Sequence, residues 1–176
     1  DCGILFGQIP RTVWAEKVKV DRENRITLGL NCLLIRSGNK YILVDTGVGT
    51  KEPGEIRESY GLSPSRLLKG LRDCGLSSKD ISAVVLTHLH FDHAGGCTRL
   101  DHVGNVVPTF PRAAYYAEKG SWEEARNPNE RARSSYHPDD FLPLKALEER
   151  GQLVLLEGDT ELLPGLFMRV TNGHSR

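Results

Sequence analysis

Residues 87–96 read THLHFDHAGG and constrain this chain more than any other stretch of its sequence. Three of its six histidines lie here with an aspartate, within six residues, in the pattern H-x-H-x-D-H. The His and Asp frequencies of the chain give this pattern a chance expectation of only ~4 × 10⁻⁴. Because imidazole and carboxylate groups together bind zinc and other borderline divalent ions, the cluster predicts a metal site.

The residues around the cluster predict how its side chains meet. An apolar, β-branched segment, AVVLTH, leads directly into it and is typical of a buried strand. In an extended segment residues i, i+2 and i+4 point to one side, so we expect His88, His90 and Asp92 to converge. His93 requires a turn to join them. The small residues 94–96 are expected to supply that turn and to let the backbone approach a metal or a substrate closely.

Other segments alternate between strand and helix patterns. Leu30–Ile35 and Tyr41–Val44 predict a hairpin joined by RSGNK. Residues 63–75 predict a helix with Ser63 as its cap, Pro64 in its first position and Gly75 at its end. Its expected buried face comprises Leu67, Leu68, Leu71 and Cys74.

The second half of the chain continues this alternation. Residues 118–150 are rich in charged residues and predict helices broken at Pro128, Pro138 and Pro143. Further strands are predicted in NVVPTF, AAYY, LVLLE and LFMRVT. Strands alternating with helices favour an α/β sandwich with its helices outside the sheets.

Composition narrows the functional classes. Lys and Arg total 23, as do Asp and Glu, which gives no sign of the basic surface of a nucleic-acid binder, although a local patch stays open. The longest apolar run is residues 113–117, whereas a membrane span needs roughly 20 residues, so no membrane partner is expected. The four cysteines form no C-x-x-C pair, which fits a reducing, cytoplasmic location. A signal peptide that has already been removed stays open.

Three motifs resemble those of the metallo-β-lactamase superfamily, whose fold is a four-layer αββα sandwich. THLHFDHAGG resembles its main signature, and LVDTG at 43–47 is similar to its first motif. TNGHS at 171–175 resembles its G-H-[ST] motif. The resemblance implies that Asp45 orients the metal ligands without binding metal itself.

The same resemblance implies roles for the histidines. His88, His90 and His174 would bind one ion, and Asp92 and His93 a second. Three histidines plus water form an open zinc site that makes the water reactive toward a lactone, a carboxylic ester or a phosphotriester. Asp92 would also be catalytic, steering the nucleophile or a proton. The expected cofactor is Zn²⁺, two ions in the complete protein, with iron, manganese and cobalt as alternatives.

The branch of the superfamily is narrowed by one residue and one long segment. Position 90 is His, where the di-iron flavoproteins of the family carry Glu, so redox chemistry of that kind is disfavoured. The interval from His93 to His174 is 174 − 93 = 81 residues, longer than in glyoxalase II-like hydrolases. This insertion and the N-terminal segment resemble the branch of N-acyl-homoserine-lactone lactonases and methyl-parathion-type hydrolases. A small-molecule ester or lactone is therefore the expected partner, and no nucleic acid.

Three alternative functions stay open: a glyoxalase II-like thioesterase, a metallo-nuclease, and a non-catalytic metal-stabilised binding domain. The aromatic residues between the second and third motifs either line an apolar substrate cleft or pack under loops, and packing is at least as strongly favoured for each. They are Phe110, Tyr115, Tyr116, Trp122, Tyr136 and Phe141.

The sequence stops directly after the third motif. We therefore expect residues 1–176 to be a single metallo-β-lactamase-like domain that is incomplete at its C-terminus, without most of the second sheet and the C-terminal helices. A bridging carboxylate and a final histidine ligand would lie beyond residue 176. The expected protein partners are a second copy of the chain or the missing C-terminal portion, because an uncovered sheet edge favours association.

Overall fold

The computed structural model describes residues 2–175, apart from the side chain of Ile4. These residues form two compact units. One comprises the residues up to Gly29 together with Glu52–Ser63, and the other comprises Leu30–Lys51 and the residues from Pro64 onward. The first unit contains three short helices: α1 Cys2–Phe6, α2 Arg11–Trp14 and α3 Gly54–Tyr60.

The helices of the first unit are held by contacts within that unit. The rings of Phe6 and Trp14 stack with their centroids 5.4 Å apart. The guanidinium of Arg25 bonds the carboxylate of Asp21 at 2.9 Å and donates to the carbonyl of Glu58 at 3.0 Å. Because helices shorter than about 12 residues are marginal in isolation, such side-chain contacts stabilise them.

The second unit contains the predicted strands and the histidine cluster. In chain order its strands and α-helices are β1 Leu33–Ser37, β2 Lys40–Val44, α4 Leu67–Asp73, β3 Ile81–Val85, α5 Phe91–Ala94, β4 Thr98–Leu100, β5 Val106–Pro108, β6 Ala114–Glu118, α6 Lys119–Arg126, α7 Pro138–Phe141, β7 Leu153–Leu156, β8 Thr160–Leu163 and β9 Leu166–Met168. Three 3₁₀ helices cover Gly95–Cys97, Arg133–Ser135 and Leu142–Arg150. Among residues 2–175, no helix has the length and apolar character that crossing a bilayer requires.

A five-stranded sheet in the order β1-β2-β3-β6-β7 organises this unit. β1 and β2 pair antiparallel, whereas the β2–β3, β3–β6 and β6–β7 pairs are parallel. Val44 is opposite Val85, and Val85 is opposite Tyr116. The carboxyl ends of β2, β3 and β6 therefore lie along one edge, the place where α/β sheets usually carry their sites.

The core of the second unit lies against the middle of this sheet. The largest side chains with almost no exposed surface come from β2, β3, β6 and the segments that follow them. They include Ile42, Leu43, Ile81, Val84, Leu86, Leu89, Phe110, Tyr115, Trp122, Phe141 and Leu144. Burial of apolar surface stabilises the fold by about 25 cal/mol per Å², so this core fixes the strand ends that carry the site.

Two of the local predictions are confirmed in outline and corrected in detail. The β1–β2 hairpin forms, but its first strand is Leu33–Ser37 rather than Leu30–Ile35, and Ser37 pairs with Lys40 inside the expected loop. The predicted helix begins at Leu67 rather than Pro64, and Ser63 does not cap it. Gly75 does follow its end, with φ +76°. Cys74 is exposed because it lies after the last helical residue, where the backbone has left the helical path.

The cluster itself has a different backbone from the predicted one. Strand β3 stops at Val85, so His88 lies in a loop and not in the strand. The turn begins earlier than expected, because helix α5 already starts at Phe91, with His90 as its extended N-cap residue. The prediction that Asp92 lies in an extended segment with the two histidines is therefore wrong, since Asp92 lies in a helical turn.

The prolines of the insertion also act differently from the prediction. Helix α6 ends at Arg126, before Pro128, as expected. Pro138, however, is the first residue of α7, and Pro143 lies in the first turn of a 3₁₀ helix. Proline suits the first helical turn, where no intrahelical N–H bond is lost. These two prolines thus begin helices and do not break them.

The glycines after the cluster allow two backbone segments to pack closely, and their expected approach to a metal or a substrate stays a prediction. A Cβ at Gly95 would lie 2.1 Å from the carbonyl oxygen of Val48, and one at Gly96 would lie 2.3 Å from that of Thr46. The N–H of Gly96 bonds the carbonyl of Gly47 at 2.9 Å. The close approach is therefore between two backbone loops, residues 46–48 and 95–96. This packing holds the loop after β2 against the histidine segment.

Replacing Gly95 by alanine should destabilise the protein, because the added methyl group collides with backbone atoms that cannot move independently. We expect the free energy of unfolding to fall by about 1–3 kcal/mol or more. Gly70→Ala on α4 is the matched control, since its added Cβ meets no atom within 4 Å. That change should raise the free energy of unfolding by about 0.5–1 kcal/mol. Denaturant unfolding measures both, and a Gly95→Ala variant of wild-type stability would contradict the packing described.

Candidate metal centre

Three histidines from distant parts of the sequence face one another in the second unit. Nitrogen atoms of His88, His90 and His174 all lie within 4.8 Å of one another. Nε2 of His174 is 3.1 Å from Nδ1 of His90, although 84 residues separate the two. The ring of His88 meets the other two edge-on, at centroid distances of 4.5 and 4.9 Å. The three histidines that were expected to bind one ion are thus adjacent. Metal binding by them stays a prediction.

The elements that carry these histidines give the cluster one open side. His88 and His90 occupy the loop between β3 and α5, and His174 follows β9. His88 is buried, His90 is half-buried and His174 is exposed. A ligand can therefore reach the cluster from the side of His174.

Asp45, directly after β2, organises the loop beneath the cluster. The residue is 8 % exposed, and its carboxylate accepts a hydrogen bond from the backbone N–H of Thr87 at 2.9 Å. The Thr87 hydroxyl donates to the same carboxylate at 2.9–3.0 Å, and Nδ1 of His93 lies 2.8 Å from Oδ2. Asp45 has φ +57°, a left-handed conformation that aspartate adopts more readily than most residues. The orienting role expected for Asp45 is consistent with these contacts and stays a prediction.

The Thr87 hydroxyl determines which nitrogen of His88 carries hydrogen. An ionised carboxylate only accepts hydrogen bonds, so the single hydroxyl hydrogen of Thr87 is used by Asp45. Nδ1 of His88 is 3.1 Å from the same hydroxyl oxygen and therefore donates to it. The lone pair of His88 is then on Nε2. Sequence reasoning missed Thr87, although its position directly before His88 was the available signal.

Asp92 and His93 lie beside the three-histidine cluster. Nε2 of His93 is 3.6 Å from Oδ2 of Asp92, and the His93 ring centroid is 4.1 Å from that of His88. Among residues 2–175, neither Asp92 nor His93 belongs to a group of three ligand atoms that all lie within 4.8 Å of one another. The structure thus places two of the expected ligands of the second ion side by side, and the part of the chain that it describes supplies no third ligand at this spacing.

The environments of these histidines shift their pKa values in opposite directions. Burial, followed by the neighbouring His93, His90 and His174, lowers the pKa of His88 to about 3. Burial and the adjacent His174 also lower the pKa of His90. The hydrogen bond to Asp45 raises the pKa of His93. His88 and His90 are thus neutral at physiological pH, the state that a metal ligand requires.

The donor atoms present fit a divalent metal ion. Nε2 of His88 is buried and makes no hydrogen bond with any residue that the structure describes. Such a nitrogen is costly to bury unless it has a partner. His88 offers a ring nitrogen within 4.8 Å of those of His90 and His174, and three imidazole nitrogens are the protein ligands of an open zinc site.

Three further residues, Glu118, Ser121 and Tyr136, lie beside the cluster. A pocket beside His88 and His174 is also lined by Glu118 and Ser121 at the start of α6. On another side, the ring of Tyr136 meets that of His90 edge-on at 4.8 Å. Burial, followed by the nearby Glu124 carboxylate, raises the pKa of Tyr136 to about 12, so its hydroxyl is neutral. Neither Glu118 nor Ser121 belongs to a recognisable motif, so no sequence signal identified them.

The Asp45–His93 contact should make the stability of the metal-free protein depend on pH. The pKa of His93 in the folded protein is raised above its ordinary value of about 6.5. The Asp45–His93 contact therefore contributes fully to stability below about pH 6.5, and this contribution is lost as the pH rises through the pKa of His93 in the folded protein. Asp45→Asn should remove this contribution. The stability difference between wild type and variant should therefore be larger at pH 6 than at pH 8, and the pKa of His93 should fall.

Histidine NMR titration and denaturant unfolding across this pH range test that prediction. Asp73→Asn is the matched control, because the Asp73–Lys69 pair is exposed on α4 and such pairs contribute little. It should leave both the pH dependence and the His93 titration unchanged. An unaltered His93 pKa in Asp45→Asn would contradict the hydrogen bond.

A comparison with protein families agrees with this fold. The model of the metallo-beta-lactamase superfamily matches residues 26–175, which is most of the chain. The chain therefore belongs to the metallo-beta-lactamase superfamily. The predicted fold class, the α/β metallo-β-lactamase fold with only part of it in this chain, is confirmed.

Curated relatives include several N-acyl homoserine lactonases. That of Bacillus cereus is 27% identical over 164 residues, which are 86% of this chain and 57% of that protein. The lactonase AiiB of Agrobacterium fabrum is 39% identical over 80 residues, 40% of this chain and 29% of its own length. The chain thus spans 57% of the Bacillus cereus lactonase and a smaller share of AiiB. It resembles the branch that the sequence predicted.

Solved structures show the same relationship. A probable metal-dependent hydrolase from Staphylococcus aureus has a TM-score of 0.84 and 29% identity, over 99% of this chain and 61% of its own. AidC, a dizinc quorum-quenching lactonase in complex with the product N-hexnoyl-L-homoserine, has a TM-score of 0.56 and 26% identity. That match covers 76% of this chain and 45% of AidC.

Proposed function

We propose that this chain carries the metal-binding part of a metal-dependent hydrolase that opens lactones or cleaves related carboxylic esters or phosphotriesters. The main support is the group of three imidazoles, His88, His90 and His174, in a chain of the metallo-beta-lactamase superfamily. The relatives named as N-acyl homoserine lactonases make a lactone the first substrate class to test. We further propose that residues 1–176 are the N-terminal part of a single domain of this family.

In this proposal His88, His90 and His174 hold one ion, and Asp92 and His93 contribute to a second in the complete protein. Zinc is the proposed metal, and iron, manganese and cobalt accept the same donors. When bound, such an ion lowers the pKa of a water ligand and polarises a carbonyl or phosphoryl oxygen. The AidC structure, described as dizinc, supports the choice of zinc.

The residues of this chain would prepare the reaction in three ways. Thr87 and Asp45 fix the hydrogen on Nδ1 of His88, which leaves Nε2 as the ligand atom. Asp45 accepts from Nδ1 of His93 and so presents Nε2 of that ring toward Asp92. Asp92, with a partly exposed carboxylate, is proposed to take the proton from the attacking water and pass it toward the leaving group.

Location and assembly are further parts of the proposal. Cys2, Cys32, Cys74 and Cys97 are all free thiols, which supports a reducing compartment such as the cytoplasm. The proposed macromolecular partners are a second copy of the chain or the remaining part of the same domain.

His88→Ala should abolish both metal binding and hydrolysis, because it removes the ligand that is most deeply buried. Removing a residue that only orients a metal ligand lowers activity by up to roughly 100-fold. We expect a larger loss of rate here, because a ligand itself is removed. Metal analysis of the purified protein, with turnover of a small lactone and a paraoxon-like ester, measures both effects. His102→Ala is the matched control, since this exposed histidine lies between β4 and β5.

Other results would select a different function. Undiminished metal content and turnover in His88→Ala would mean that the site is elsewhere. Metal binding with thermal stabilisation but without ester or lactone turnover would identify a non-catalytic metal-stabilised domain. Cleavage of structured RNA without lactone turnover would identify a nuclease.

A further inference from the structure

One segment of the long insertion, residues 136–141, lies along the histidine motif. The ring of Tyr136 meets the ring of His90 at a centroid distance of 4.8 Å and an interplanar angle of 66°. The next residue, His137, stacks on Phe91 at 4.8 Å and 20°. Two consecutive residues of the insertion thus pack on two consecutive residues of the motif.

The same segment is anchored beyond these rings. The Thr98 hydroxyl donates to the carbonyl of Asp139 at 2.6 Å. The buried ammonium of Lys51 lies 2.9 Å from the Asp140 carboxylate and donates to the carbonyl of Gly95 at 2.5 Å. Because these contacts hold residues 139–140 against the loop after the motif, the position of Tyr136 relative to His90 is fixed by neighbours on its C-terminal side.

Tyr136 contacts a histidine whose ring plane depends on a side-chain torsion. The χ2 torsion of histidine is broad, so the backbone alone does not fix the plane of the ring. The His90 ring contacts those of His88 at 4.5 Å and Tyr136 at 4.8 Å, and its Nδ1 lies 3.1 Å from Nε2 of His174. Tyr136 is itself only 5 % exposed, so its ring cannot move aside without opening the core.

We infer that Tyr136 is a positioning residue that holds the imidazole of His90 in the plane that presents Nδ1 to the metal. This inference rests on the proposed function, because it concerns the same three-histidine site. Tyr136 acts through His90 and is not a catalytic residue. Its ring makes the contact, so an aromatic ring without the hydroxyl should serve equally well.

The experiment compares metal affinity in variants of the full chain. Tyr136→Leu should raise the Kd for Zn²⁺, measured by competition with a chromophoric chelator, roughly 10-fold, as for other neighbours that orient a ligand. Tyr136→Phe keeps the ring contact and should stay within about threefold of wild type. With Co²⁺ bound, the visible absorption spectrum should change in Tyr136→Leu and not in Tyr136→Phe.

Phe141→Leu is the matched control for a general loss of packing. Phe141 is a buried aromatic residue of the same segment, and its ring contacts Trp122 at 5.5 Å. This variant should lower the unfolding temperature while the Kd for Zn²⁺ stays at the wild-type value. If Tyr136→Leu does not fold, Tyr136→Met provides the same comparison, with a flexible apolar side chain in place of the ring.

Two outcomes would overturn the inference: wild-type Zn²⁺ affinity in Tyr136→Leu, or an equal loss of affinity in Phe141→Leu. Turnover of the lactone by the wild-type chain is recorded in parallel. Normal Zn²⁺ binding by wild type without turnover, together with weakened binding in Tyr136→Leu, would overturn the proposed hydrolase function and support the role of Tyr136.

Discussion

The contacts of the Asp45 carboxylate are the interaction on which the rest of this site depends. One buried group accepts from the backbone and the hydroxyl of Thr87 and lies within hydrogen-bonding distance of His93. Through Thr87 it also determines the hydrogen position on His88. A buried carboxylate is stable only when its oxygens accept hydrogen bonds. The hydrogen bonds of Asp45 therefore hold the loops after β2 and β3 in one arrangement.

The parallel sheet explains why these loops meet at all. Parallel pairing of β2, β3 and β6 brings the carboxyl ends of three strands to one edge. Asp45 follows the first of them, His88 and His90 follow the second, and α6 begins at the end of the third. The missing side chains of Gly95 and Gly96 then allow the first two loops to pack backbone against backbone.

The sequence predicted much of this arrangement where a local signal was strong. Turn residues and alternating apolar residues identified the β1–β2 hairpin, and H-x-H-x-D-H with TNGHS identified residues that prove to be adjacent. Prediction from the sequence failed where the structure of a residue depends on a contact with a residue that is distant in the chain. The backbone N–H of Thr87 bonds Asp45, so the strand ends before His88. The role of Tyr136 had no local signal, because its contact with His90 spans the insertion.

The amino-acid sequence by itself determined which donor groups this protein offers: imidazoles and carboxylates at fixed spacing, after an apolar strand, in a chain of balanced charge. Side-chain chemistry and short-range periodicity are local properties, and they can be recognised without a structure. Only the tertiary structure decided which nitrogen of His88 is available to a ligand and which ring packs against His90. Hydrogen positions and ring planes depend on groups such as Asp45, Thr87 and Tyr136, which reach their partners only when strands and loops assemble.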